Sequence, residues 1–299
     1  MSLALPAHAR SDNIRGIIAM LLAMAVFVVN DTLMKIAAGH LPIGEAIFMR
    51  GLLTTAIGGL LIAGSGMLRA LPHALSPMVI CRAAADLGGT ITFLSALVHM
   101  PMADIFGILQ FTPLAVTAGA ALFMNARVGW RRWTATTIGL IGVLIIIRPD
   151  GSAFAPHTVL AMVSVLFSAA RDLLSRSVPA GVPPLIIVTT SAAVVTLVCL
   201  GLGLVETWTQ PSPATTLILV AAAAAVLAGQ YGLVAAMRTG DIAVVAPFRY
   251  SIILWATLAG YLVWGESPDL ASWVGIGIVT SAGLYTFLRE QRLARAIRP

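Results

Sequence analysis

Charge is what this sequence has least of. Only 10% of its 299 residues are Asp, Glu, Lys or Arg, against about 25% in an ordinary soluble domain. That shortage, with 59% hydrophobic residues, excludes a water-soluble globule and points to an integral membrane protein. Cysteine is nearly absent too. Cys81 and Cys199 both stand inside apolar runs, which excludes a disulfide framework or a cysteine-built metal site and reads them as small core residues. No phosphate-cradling Gly-rich loop with a Lys, no zinc helix motif and no Gly-x-Ser-x-Gly elbow occurs, so ATP hydrolysis and peptide hydrolysis by known routes are excluded. No enzyme is expected, and neither a cofactor nor a metal is called for.

What is present is apolar sequence in helix-sized lengths. Runs near 15–38, 43–63, 77–98, 103–123, 133–147, 157–176, 183–204, 214–236, 241–263 and 271–288 each approach the ~20 residues that cross a bilayer as a helix. The connections between them are too short for a soluble catalytic domain. Arginine falls on one side of this plan. The N-terminal tail and even-numbered connections hold Arg10, Arg15, Arg69, Arg127, Arg131, Arg132, Arg176 and Arg238, and the C-terminal tail holds Arg289, Arg292, Arg295 and Arg298. The opposite side holds only Lys35 and Arg148. The positive-inside rule then makes both termini cytoplasmic, and the net charge of +6 is an orientation signal rather than a nucleic-acid footprint.

The chain also says itself twice. Asp104-Ile105, Pro113, Gly139 and Gly142 are echoed by Asp241-Ile242, Pro247, Gly275, Gly277 and Gly283. Asn30-Asp31 through Lys35 lines up with Arg171-Asp172 through Arg176 at an offset of 141 residues, and Pro42 with Pro183 at the same offset. The expected units are 1–152 and 153–299. Five helices per unit is an odd number, so the second unit enters the membrane upside down. The fold expected is therefore all-α, with ten transmembrane helices in two five-helix inverted-topology repeats, a plan of secondary transporters.

Pro113 and Pro247 interrupt the fourth and ninth runs at similar depth. Each removes a backbone hydrogen bond, and the freed carbonyl needs a partner in protein or water. Matched interruptions are a pointer to a binding site, although simple packing kinks account for them equally. Small residues at Gly139, Gly142, Gly275, Gly277 and Gly283 let helices approach closely in lipid. Contacts within one chain explain them as well as a homodimer seam does.

Ionised side chains at membrane depth cost about 2.5–3.5 kcal/mol each on insertion scales, so those retained should face the bundle interior or a wet cavity. They are Asp31, Arg50, Arg82, Asp86, Arg171, Asp172 and Arg249, accompanied by Asn30, Gln110, Gln230, Tyr231 and Tyr250. Arg82 and Asp86, four residues apart, share a helix face and can pair structurally. Arg249 has no acid one turn away and lies beside Pro247, which suits a carboxylate-bearing solute; Asp31 or Asp86 from another helix is the competing partner. Asp31 and Asp172 are repeat-related and read equally as structural anchors, amine contacts or proton carriers. Histidine offers no mid-membrane relay. His99 and Asp104, with four residues between them, resemble a membrane acyltransferase spacing but sit in a short loop with Pro101.

The run Ala246-Pro247-Phe248-Arg249-Tyr250-Ser251-Ile252-Ile253-Leu254-Trp255, ending in Gly260 and Trp264-Gly265-Glu266, resembles an EamA-type repeat of the drug/metabolite transporter superfamily. Its counterpart with Arg131-Arg132-Trp133, Gly139, Gly142 and Arg148-Pro149 resembles the same repeat, except that the glutamate found at Glu266 falls on Ala126. The resemblance implies a ten-helix, multi-pass carrier of the bacterial inner membrane for small organic solutes, often amino acids moved outward, most like the aromatic amino acid exporter group. It further implies that helices 1, 3, 4, 6, 8 and 9 line a central cavity. On that basis Asn30, Gln110, Phe111, Tyr231, Phe248, Arg249 and Tyr250 are the candidate substrate contacts, with Asp31, Arg82, Asp86, Arg171 and Asp172 as coupling or structural charges. Partners expected are a small-molecule substrate, amino acids foremost, and membrane lipid, with no nucleic acid. A nucleotide-sugar or sugar-phosphate exchanger is the alternative carrier, and an acyltransferase-like enzyme the alternative of another class.

Overall fold

Proline opens many of the apolar runs as helices. Pro77, Pro156, Pro184 and Pro213 each stand at a helix start, where the missing N–H is not needed and the fixed φ suits the first turn. The computed structural model describes residues 7–123, 129–147, 156–175, 177–179, 181–239 and 242–297. Ala126, Arg127, Arg148, Pro149, Arg176, Asp241 and Arg298, named above, lie outside the described residues. In chain order the long elements are α1 (Ala7–Ala38), α2 (Ile43–Gly64), α3 (Pro77–Leu97), α4 (Met102–Leu109), α5 (Thr112–Phe123), α6 (Trp130–Ile147) and α7 (Pro156–Ser175). They continue with α8 (Pro184–Leu202), α9 (Pro213–Thr239), α10 (Ile242–Val245), α11 (Ile252–Trp264) and α12 (Leu270–Ile297). A short 3₁₀ helix, Met67–Leu75, links α2 to α3, and another, Ala246–Ser251, joins α10 to α11.

Among the described residues nine helical stretches are long and apolar enough to cross a membrane, with α4 and α5 counted together as Met102–Phe123. The expected run at 241–263 is not among these nine, because Pro247 lies inside the tight 3₁₀ segment between α10 and α11 and leaves neither helix long enough. The fourth run breaks at Gln110 and Phe111. Pro113 cannot donate to the Leu109 carbonyl four residues back, and the hydroxyl of Thr112 takes that acceptor at 2.6 Å. The carbonyl freed by proline is thus satisfied within the protein.

Packing pairs the early helices with the late ones. α1 lies against α9, α3 against α7, α2 against α8 and α6 against α12, with α5 on α7 and α11 on α1 as smaller contacts. The α6 and α12 backbones meet through glycine. A Cβ on Gly275 would lie 2.7 Å from the Gly142 carbonyl oxygen, and one on Gly142 would lie 3.0 Å from that of Gly275. A Cβ on Gly277, grouped with them from the sequence, would meet no other element within 4 Å among the described residues. The main core draws Met34, Ile47, Leu97, Ile105, Leu114, Val165, Leu219 and Val279 from both halves into one cluster. Cys199 belongs to that core; Cys81, expected there too, is exposed on α3.

Candidate functional site

Most of the ionisable residues retained at membrane depth are gathered by five helices, α1, α2, α3, α7 and α8. On α1 the buried Asn30 donates from Nδ2 to Asp31 Oδ1 at 2.8 Å, and its Oδ1 accepts from the Arg50 guanidinium of α2 at 3.4 Å. On α7 the Arg171 guanidinium donates to Asp86 Oδ1 of α3 at 3.1 Å and to Asp172 Oδ1 at 3.0 and 3.1 Å. Arg82, one turn below Asp86 on α3, donates to Ser175 Oγ at 2.9 Å and to Ser191 Oγ of α8 at 2.8 Å. The local Arg82–Asp86 pair expected from spacing therefore does not form. Asp86 is taken by Arg171 from the neighbouring helix, and the serines of α7 and α8 hold the Arg82 fork.

These groups form one electrostatic cluster. Arg50 lies within Coulombic reach of Asp31 and Asp86, and Arg82 within reach of Asp86, Arg171 and Asp172. Three guanidinium groups and three carboxylates thus balance in sign. That balance is what allows so many ionisable groups to stay inside a membrane helix bundle, since an unpaired charge there is expensive. Ser191 stands 141 residues after Arg50, the same offset that relates Asp31 to Asp172.

A second set of polar contacts lies at the ends of α1, α2 and α11. Lys35 Nζ is 2.8 Å from Glu266 Oε1, donates to the Met100 carbonyl at 2.8 Å and sits 4.6 Å from the centre of the Trp264 ring. Nearby, Glu206 accepts from the Gly44 backbone at 3.3 Å and from Trp208 Nε1 at 3.0 Å, while Glu45 accepts from the Thr209 backbone at 3.1 Å.

The remaining candidates are placed separately. Gln110, buried at the α4–α5 break, has its Nε2 without a hydrogen-bond partner among the described residues. Phe111 beside it is buried and packs over Gly139 of α6. Tyr231 on α9 is 79% exposed, and Phe248 and Arg249 are exposed on the 3₁₀ segment. Arg249 makes no ion pair with Asp31 or Asp86, which have the partners described above. The Tyr250 hydroxyl rests against Gly283 of α12. None of these six takes part in the cluster's hydrogen bonds. His99 Nδ1 is bonded to the Ser95 carbonyl at 2.9 Å, and its ring stacks on His157 with centroids 6.0 Å apart. An apolar groove of about 670 Å³ between α6 and α12, lined by Trp130, Arg131, Trp273, Gly277 and Tyr285 among others, touches no candidate residue.

Sequence reasoning passed over Arg50 as a site residue and did not single out Ser175, Ser191 or Lys35. For Arg50 and Ser191 a signal existed in the repeat offset. For Lys35 and Glu266, 231 residues apart, only the fold brings the pair together.

Residues 157–288 match the EamA-like transporter family. A riboflavin transporter of Rhizobium johnstonii is 28% identical over 207 residues, covering 69% of this chain and 68% of that protein. A pseudopaline exporter of Pseudomonas aeruginosa is 28% identical over 265 residues, 87% of this chain and 91% of its own length. An S-adenosylmethionine uptake transporter of Rickettsia prowazekii is 24% identical over 180 residues, 60% and 61% of the two chains. One crystal structure of a protein superposes with a TM-score of 0.61 at 20% identity, over 95% of this chain and 99% of that one, and shares the fold.

Proposed function

We propose that this chain, which carries an EamA domain and is a multi-pass transporter of the bacterial inner membrane, moves amino acids and similar small metabolites outward by alternating access. The observation that carries this reading is the charge-balanced cluster of Asp31, Arg50, Arg82, Asp86, Arg171 and Asp172. A site with equal numbers of guanidinium and carboxylate groups suits a solute that itself carries both signs, such as an amino acid. Asn30, Gln110, Phe111, Tyr231, Phe248, Arg249 and Tyr250 are the residues proposed to meet the solute along its path. The unpartnered Gln110 amide supports this at one position, because a buried N–H without an acceptor is costly unless a ligand or water supplies it.

The crossed packing of α1 on α9 and α3 on α7 supports two inverted five-helix repeats, 1–152 and 153–299, with both termini cytoplasmic. Transport is then facilitative or coupled to protons through Asp31, Asp86 or Asp172. A nucleotide-sugar or sugar-phosphate exchanger is the second reading, favoured by the cations Arg50 and Arg82, whose direct donors go only to neutral partners. The phosphate dianion would, however, meet three resident carboxylates.

Liposomes containing only the purified protein test the proposal. They are preloaded with one labelled amino acid and challenged with unlabelled amino acids, sugars and nucleotide-sugars, with and without a pH gradient. Exchange with amino acids and no gradient establishes a facilitative amino-acid carrier, and exchange only with a gradient establishes coupling. Exchange confined to phosphorylated or nucleotide-linked sugars would transfer the assignment to the second reading.

A further inference from the structure

Glu266 carries a motif residue of the sequence that the transport site leaves unused. It follows Gly265, whose φ of 68° ends α11 in a left-handed turn and swings the next residue back over the helix. The Glu266 N–H donates to the Gly260 carbonyl at 3.1 Å. Its carboxylate then does two things at once. Oε1 receives the Lys35 ammonium at 2.8 Å, and Oε2 accepts from the Met102 backbone N–H at 2.8 Å.

Lys35 answers in kind, holding the Met100 carbonyl and lying over the Trp264 ring. One ion pair therefore ties the end of α1, the turn between α3 and α4, and the end of α11. The side chains are 8% and 22% accessible, so the pair is shielded from solvent on most of its surface. On the neighbouring rim Glu206 and Glu45 cross-link the start of α2 to the connection between α8 and α9. All these contacts fall on odd-numbered connections, the side that the arginine distribution makes external.

Two further features bear on what the pair does. Asp31 of the central cluster is four residues before Lys35, on the same face of α1, so a movement of α1 that separates Lys35 from Glu266 also displaces Asp31. In the sequence, moreover, the repeat-related positions are Arg176 and Ala126. A cation is kept there, but alanine offers no carboxylate, so the pair belongs to one side only.

We infer that Lys35 and Glu266 are the outer gate of the transport cycle: the pair breaks each time the site opens outward and re-forms when it closes. The inference rests on the transport reading for its role, but the gate itself is tested without transport. Cys199 of α8 is fully buried and lies within Coulombic reach of Arg50 and Glu206, which makes it a native reporter of opening. In a Cys81→Ser background, reconstituted protein is exposed to a membrane-impermeant thiol reagent from the outside. Glu266→Gln is expected to raise the initial rate of Cys199 labelling at least tenfold. The exchanged pair, Lys35→Glu with Glu266→Lys, is expected to bring it back near the parent rate, which a misfolded protein would not do. Unchanged labelling in Glu266→Gln overturns the inference, as does unrestored labelling in an exchanged pair that melts at the parent temperature.

A second arm holds the gate shut. In a background lacking both native cysteines, Lys35→Cys and Glu266→Cys are joined by a reversible bis-thiosulfonate linker. Solute exchange should fall below one tenth of the unlinked value and return on reduction. Full exchange in the linked state would show that the two ends never part and that the pair is a fixed strut. If the parent protein exchanges none of the solutes, the transport reading fails while the labelling result still decides whether the gate opens.

Discussion

Arg171 is the residue on which the central cluster turns, and replacing it by methionine tests the logic of the site. Methionine keeps an unbranched stem of similar reach and removes the charge. Two carboxylates, Asp86 and Asp172, then lose the guanidinium that now donates to both at 3.0–3.1 Å. Removing one partner of a buried ion pair costs about 3–5 kcal/mol. The low end applies, since 25–34% of these side chains is accessible and solvent screens part of the field. A loss of about 3 kcal/mol corresponds to a fall in melting temperature on the order of 6–12 °C. The companion variant adds only Asp86→Asn to Arg171→Met, so that two guanidinium groups again face two carboxylates, with Asp172 still within reach of Arg82, and should recover at least about half of that loss. Thermal unfolding of the purified protein in detergent, followed by tryptophan fluorescence, measures both. If the single variant melts with the parent, or the double variant melts as low as the single, the cluster is not held by mutual charge compensation.

Three other perturbations probe separate parts of the molecule. Gly275→Leu forces a side chain against the Gly142 carbonyl and should cost about 1–3 kcal/mol by overpacking, read as a lower melting temperature and a poorer monodisperse yield. Arg249→Ala, on the exposed 3₁₀ segment, should abolish exchange of carboxylate-bearing solutes in liposomes while membrane insertion and melting stay at parent values; normal exchange would make Arg249 peripheral. His99→Ala should leave exchange rates within about twofold, because its contacts are the Ser95 carbonyl and the His157 ring, each worth about 1 kcal/mol or less.

The helices were legible because lipid makes them so: an apolar run near 20 residues has few alternatives to a spanning helix. The run at 241–263 shows the limit, since its hydropathy is continuous while Pro247 divides its backbone. Charges at membrane depth were equally visible, and Asn30, Asp31, Arg82, Asp86, Arg171 and Asp172 do meet. Who pairs with whom was not visible. Arg82 and Asp86 have ideal spacing on one helix, but the rotation of α7 and α8 about their axes brings Arg171, Ser175 and Ser191 into reach. Tyr231 shows the same blindness in reverse, an aromatic at the right depth whose helix turns it outward. Lys35 and Glu266 carry no mutual signature at all, because a contact across 231 residues exists only once α1 and α11 are packed.

The pairing of α1 with α9, α2 with α8, α3 with α7 and α6 with α12 also bears on how the protein is made. Each of these early helices finds its main partner late in the chain, so the first five spans leave the ribosome with their packing faces uncovered. Their main partners arrive only with the later helices, which must then interleave with them. The arginines Arg50, Arg82 and Asp86 with them spend that interval without Arg171, Ser175 or Ser191. A truncated chain ending near residue 150 would keep the Arg50–Asn30 bond but lack the main packing partners of α1, α2, α3 and α6.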